Sequence, residues 1–217
     1  MDKYKQTPAV NIRIFCYFCS EYYKMKGRPS IYQDKELILK AQEIFWEKGF
    51  NATSLSELSK ATGAGAGSLY NTFKGGKKEL FKKSLQQRRE GLYEFRDQLE
   101  KSDSPIELIK DHFRTIVSAD HRTHQRGCIV ANTVIEMTFI DDDLQNEAIE
   151  ILKETEKLYT ATILGEQKNG NIKSTIPADT LGKYLISIWC GINSLRRIYP
   201  DKEFLQRQIE LQLQIIT

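Results

Sequence analysis

Cysteine and proline are scarce in this 217-residue chain, and long apolar runs are missing. Four cysteines are too few for a scaffold stapled by disulfides, so a reducing, cytoplasmic compartment is expected. Five prolines and thirteen glycines exclude collagen-like and low-complexity classes. No run approaches the ~20 apolar residues that a membrane-spanning helix needs, which rules against a transmembrane protein. The β-branched alternation that marks strands is lacking throughout. No internal repeat is visible. Forty per cent hydrophobic and 28% charged residues describe an ordinary globular chain, long enough for one or two domains around a real core.

The net charge of +3 hides a division. Residues 25–90 carry thirteen Lys and Arg against seven Asp and Glu, whereas residues 91–217 carry fifteen against twenty. A basic segment joined to an acidic remainder suits a polyanion-binding head on a non-binding body, although basic helix faces are often only solvated surface.

The first 24 residues stand apart. Val10–Tyr23 is aromatic and apolar, but Arg13 interrupts it and no small-x-small cleavage site follows, so a secretory signal is disfavoured. Cys16 and Cys19 form one C-x-x-C pair with no second pair or close His pair in the next 90 residues to complete a structural zinc site. The segment reads as a loosely docked extension, or as an upstream stretch from an early start, since MKGRPS at Met25 is itself a natural beginning.

From residue 34 the apolar spacing is helical. Leu37, Ile38, Ala41, Ile44 and Phe45 recur at threes and fours until Gly49. Thr53 or Ser54 caps a second helix with Leu55, Leu58 and Ala61 inside, and Glu57 stands where a capping box needs it. Gly63–Gly65 turns into a short third helix, Ser68–Phe73, ended by Gly75 and Gly76. Further helices are expected at 77–100, from Pro105 through Val117, and at 127–139, 144–168, 178–198 and 202–216.

Three short helices, the last two joined by a glycine-containing turn, form a helix-turn-helix candidate. Ala64, Gly65, Ala66 and Gly67 let the third helix approach a DNA backbone closely. Lys74, Lys77 and Lys78 can neutralise phosphates, Tyr70 and Thr72 offer hydroxyls, and Asn71 can meet a base edge or a phosphate.

The stretch from Lys35 resembles the DNA-binding domain of the TetR/AcrR family of bacterial regulators. The pattern lies in Ala41, Phe45, Gly49 and Phe50, then Thr53–Ser54, then Gly63, Gly67–Ser68–Leu69–Tyr70 and Phe73. The resemblance covers about 50 residues and implies an all-α chain. A helix-turn-helix domain at 25–76 would precede a helical effector-binding and dimerisation domain at 77–217. It implies phosphate contacts from Thr53, Ser68, Tyr70 and Lys77, and base approach by Ala66, Gly67 and Asn71. A basic arm with Lys26 and Arg28 would precede the first helix. Phe45, Leu58, Leu69 and Phe73 match the packing positions. The loop Lys74–Gly75–Gly76 is one residue longer than the common form, which leaves the phosphate partner open between Lys77 and Lys78. With so few large side chains on the third helix, DNA shape carries a larger share of recognition.

For the body, the resemblance implies a homodimer through the last two helices and an effector pocket. Matching pocket candidates are Phe95, Phe113, Val117, Asn132, Ile135, Glu136, Phe139, Tyr159, Trp189 and Asn193. Cys128 joins them because Arg126–Glu136 (RGCIVANTVIE) is similar to a segment of one subgroup. Arg126 and a helix N-terminus near Cys128 would favour its thiolate and suit an electrophile sensor; the alternative is a small residue packing the helix start. Cys190 reads as core. His112, His121 and His124 are too few for a metal site unless other ligands join them.

No nucleophile–base pair, phosphate-cradling glycine loop or H-E-x-x-H occurs, so neither an enzyme nor a cofactor is expected. A purely architectural DNA-binding protein would not need so long an aromatic-bearing body. The expected partners are a double-stranded operator, a small-molecule effector and a second copy of the chain, with no membrane.

Overall fold

The computed structural model describes residues 31–217, with side chains from residue 34. The extension 1–24, its C-x-x-C pair and the expected basic arm with Lys26 and Arg28 lie outside the described residues. Among the described residues every regular element is helical. The order is α1 (Ile31–Lys48), α2 (Leu55–Thr62), α3 (Ala66–Thr72), α4 (Gly76–Glu100), α5 (Pro105–Arg114), α6 (His121–Arg126), α7 (Ile129–Met137), α8 (Asp142–Lys168), α9 (Ala178–Leu195) and α10 (Lys202–Leu213). Short 3-10 turns follow α5 and α10.

Local chemistry sets these boundaries. Ser54 accepts from the Glu57 amide and Glu57 returns to the Ser54 amide, the capping box expected for α2. Gly63, at φ +73, closes the same helix and satisfies its last turn. Asp120, Asp141 and Asp201 cap α6, α8 and α10 through side-chain bonds to backbone amides three residues on.

Several boundaries differ from the sequence expectation: α3 runs Ala66–Thr72 where Ser68–Phe73 is expected, and α9 ends at Leu195, short of 198. Helical spacing carried α5 through Val117, but regular α-helix ends at Arg114 and the chain tightens into a 3-10 turn. The helix expected at 127–139 forms over the shorter span Ile129–Met137. Asp120 starts α6 earlier, Gly127 breaks the chain at φ +66, and α7 begins afresh at Ile129. Its end is forced at Thr138, whose backbone is extended, and at Phe139, which has φ +64.

The core has two parts. One gathers Ala41, Phe45, Leu58, Leu69 and Phe73 from α1–α3 with Leu80, Phe81 and Leu85 of α4, Val130 and Met137 of α7, and Leu144 and Ile151 of α8. The other gathers Phe95 and Leu99 of α4 with Ile109, Phe113, Tyr159, Leu185, Trp189 and Ile209. Long helices α4 and α8 thus contribute one end to each. Cys128 packs against both parts. Gly182 brings α9 close to α8, because a Cβ there would meet the Thr160 hydroxyl and the Glu156 carbonyl.

Candidate nucleic-acid interface

Helix α3 turns one residue, Leu69, into the core and leaves Ala66, Gly67, Ser68, Tyr70, Asn71 and Thr72 exposed. Nothing lies within 4 Å of where a Cβ would stand on Gly65 or Gly67. Internal packing therefore gives no reason for glycine at position 67. Its missing side chain keeps the outer surface low, as close approach to another molecule requires. Tyr70 is 48% exposed, and its ring lies 3.2 Å from the Cβ position of Gly76, which has φ +63. Any larger residue at 76 would displace that ring. Lys60 in the last turn of α2 and Lys74 just after α3 are exposed.

Three residues named from the resemblance are engaged in internal contacts. Thr53 is 1% exposed, and its hydroxyl donates to the Gly49 carbonyl at 2.6 Å, closing the turn between α1 and α2. Lys77 donates from Nζ to the carbonyls of Phe50 and Thr53, both at 3.0 Å, and lies over the Phe50 ring. Lys78 pairs with Asp141 and Asp143, each at 2.9 Å, at the start of α8. These two lysines brace the head; Lys74 stands free of ion pairs among the described residues.

The candidate effector residues divide sharply. Phe113, Tyr159 and Trp189 come together with Phe95 around His112, which stacks on Trp189 at 4.6 Å between ring centres and lies 5.1 Å from Phe95. Burial drives the His112 imidazole down to about 3, so the ring is neutral. Val117 packs on the same cluster. Burial pushes the Tyr159 phenol up, with Cys128 and Cys190 adding to the effect, and pushes the Cys190 thiol up to about 11.

Other candidates do not join this cluster. Ile135 is 74% exposed and Phe139 99% exposed, because α7 turns that face outward and the strained turn ejects the Phe139 ring. Asn193 is buried, but its amide donates back to the Trp189 carbonyl of its own helix. Asn132 donates to the Arg126 carbonyl and accepts from Arg197. Glu136 reaches the head: its carboxylate accepts from the amides of Phe50 at 3.0 Å and Asn51 at 2.8 Å. Arg126 also reaches the head: its guanidinium meets Glu43 at 2.6 Å and lies over Trp46.

His121 and His124 lie on α6, and His124 is buried. Among the described residues no group of three or more His, Cys, Asp or Glu is placed to hold a metal ion. No helix of the described residues is long and apolar enough to cross a membrane.

What sequence reasoning missed is the junction. Trp46 Nε1 donates to the Gly127 carbonyl at 3.1 Å, and Arg196 Nη2 donates to the same oxygen at 3.0 Å. Arg197 adds a bond to the Arg126 carbonyl at 2.8 Å. The break at Gly127 was the available signal, since it leaves carbonyls to be satisfied away from any helix.

A short exposed helix behind a glycine turn, joined by a continuous helix to an all-helical body, is a helix-turn-helix arrangement. Comparison with known proteins gives the family. Residues 37–83 match the model described as bacterial regulatory proteins, tetR family, and residues 106–211 match the tetracyclin repressor-like C-terminal domain. The chain belongs to the TetR family of DNA-binding transcriptional regulators.

Its relatives include the transcriptional repressor DhaR of Mycobacterium sp. (strain GP1), 24% identical, with 80% of this chain and 86% of that protein covered. The repressor ComR of Escherichia coli (strain K12) is 26% identical, covering 78% and 82%. Among solved structures, a cysteine mutant of the TetR family regulator CifR complexed with 26-bp double-strand operator DNA is similar at a TM-score of 0.69. It is 23% identical, with 88% of this chain and all of that chain covered.

Proposed function

We propose that this regulator is a cytoplasmic, effector-released repressor that binds a palindromic operator as a homodimer. The observation that carries the reading is the outer face of α3. Ala66, Gly67, Ser68, Tyr70 and Asn71 are exposed together, around a glycine that internal packing does not require. A seven-residue helix of this kind reads one half-site, so a two-fold operator needs two copies.

Ser68 and Tyr70 hold phosphates through their hydroxyls, while Ala66, Gly67 and Asn71 approach bases. Lys74 supplies the salt-sensitive charge that Lys77 and Lys78, engaged internally, do not offer in this arrangement. The last two helices supply the dimer face: Leu195, Phe204 and Leu211 remain exposed on α9 and α10 while Ile192, Leu205 and Ile209 fill the core. An apolar outer face beside a filled inner one suits a second copy.

The effector site centres on Phe95, Phe113, Val117, Tyr159 and Trp189, with Cys128 at its edge where both parts of the core meet. The ligand is a small apolar molecule or an electrophile that reacts at Cys128. Its binding shifts α4, changes the separation of the two heads and releases DNA.

The test is anisotropy of the purified protein on DNA from upstream of its own gene, across a salt series, with Tyr70→Ala alongside. Tight, salt-steep binding that the variant loses supports the reading. Weak binding, equal on all DNA and indifferent to Tyr70, removes it.

A further inference from the structure

We propose that Glu136 is a positioning residue: it fixes the angle between head and body, and thereby the half-site spacing that the dimer accepts. This deepens the repressor reading and rests on it. The geometry is a clamp. Both carboxylate oxygens of Glu136 accept from consecutive amides, Phe50 and Asn51, at the turn where α1 hands the chain to α2. A Cβ on Gly49 would stand 2.7 Å from Glu136 Oε2, and Gly49 itself has φ +81. The turn is therefore shaped to the carboxylate from both sides. Charge-assisted bonds to two fixed donors also constrain orientation more tightly than apolar packing does.

The other end of α7 is anchored to the body. The Gly127 carbonyl, two residues before α7, accepts from Arg196, which follows α9. Arg197 bonds the Arg126 carbonyl and, at 2.9 Å, the Asn132 amide oxygen within α7. Nine residues of helix make a strut of about 13 Å. One end is held by the residues that close α9, and the other holds the turn that carries α2 and α3. A displacement of α9 against the body core reaches the head through that strut. Trp46, bonded to the Gly127 carbonyl, gives the head a second point of attachment, so the pair defines an angle and not merely a contact.

The prediction concerns spacing. DNA selected by the wild-type full-length protein from a random pool is rebuilt with one to three base pairs inserted at its dyad. The wild type loses affinity steeply, whereas Glu136→Ala discriminates between spacings about tenfold less. Glu136→Gln, which keeps the shape and one acceptor oxygen, falls between them. Gly49→Ala, which crowds the carboxylate from the opposite side, behaves like Glu136→Ala.

Hydrogen exchange without DNA supplies the second arm. Glu136→Ala and Glu136→Gln speed exchange through α2 and α3 while α8 and α9 keep their protection. Variants that retain wild-type spacing discrimination, or faster exchange confined to residues 49–52, overturn the proposal. A wild type that selects no DNA removes the repressor reading, and the exchange arm then decides the clamp by the same criterion.

Discussion

The indole of Trp46 donates to the Gly127 carbonyl at 3.1 Å, joining α1 to the break between α6 and α7, 81 residues away in sequence. Arg88 and Arg126 lie over its ring at 4.6 and 5.2 Å, so the one side chain serves as hydrogen-bond donor and as cation platform. Trp46→Phe keeps most of the ring and loses the donor. The Gly127 carbonyl retains Arg196, so no acceptor is orphaned, and the cost is about 1 kcal/mol. Thermal unfolding read by circular dichroism should fall by about 2–4 °C. An unchanged midpoint would show that the bond contributes nothing.

Gly67 separates folding from recognition. A side chain there meets open space, and helix propensity favours leucine over glycine by roughly 0.5–1 kcal/mol. Gly67→Leu should leave thermal stability equal or slightly higher while lowering operator affinity about tenfold or more. Loss of stability would mean that position 67 is not open surface.

Lys74 is exposed, and among the described residues it forms no ion pair. Lys74→Gln should reduce the slope of log affinity against log salt by about one for each head, with little change in sequence preference. Lys77→Gln should act differently. It removes the donor to Phe50 and Thr53 and loosens the head itself, so both stability and affinity fall. Equal effects from the two variants in melting and in salt titration would contradict that division.

How much of this was legible in the residues depends on what each signal encodes. The Ser54–Glu57 box, the glycines at 49 and 63 and the periodic apolar positions are local devices, so α1, α2 and α4 could be read directly. Exposure of the α3 face followed from Leu69 being its one buried apolar residue. The uses of Thr53, Lys77, Lys78 and Glu136 depend on partners 4 to 86 residues away, which spacing along the chain does not contain. Ile135 and Phe139 misled for a related reason. Apolar identity does not say which face of a helix is buried: Ile135 lies within α7 on its outward face, and Phe139 comes after α7 has ended at Met137.

The neutral His112 makes stability depend on pH. Its folded value is about 3 against an ordinary 6.5, so below pH 6.5 the unfolded chain binds a proton that the folded one refuses. Stability is present above that value and is lost as pH falls toward 3. Between pH 7.5 and 5 the loss from this ring is about 2 kcal/mol. His124, lowered mainly by burial and then by Arg196, adds in the same direction. His112→Phe, flanked by Phe95 and Trp189, should flatten most of the dependence in urea titrations at the two pH values. A variant as pH-sensitive as the wild type would place the effect elsewhere.

The exposed face of α3 is proposed to read operator DNA. Its most direct test is a fluorescence anisotropy titration of wild type and Gly67→Leu on DNA selected by the wild-type protein, at two or more salt concentrations. The wild type should bind tightly and salt-dependently, and an equally stable variant should lose about tenfold or more in affinity. Equal binding by the two proteins would contradict that reading.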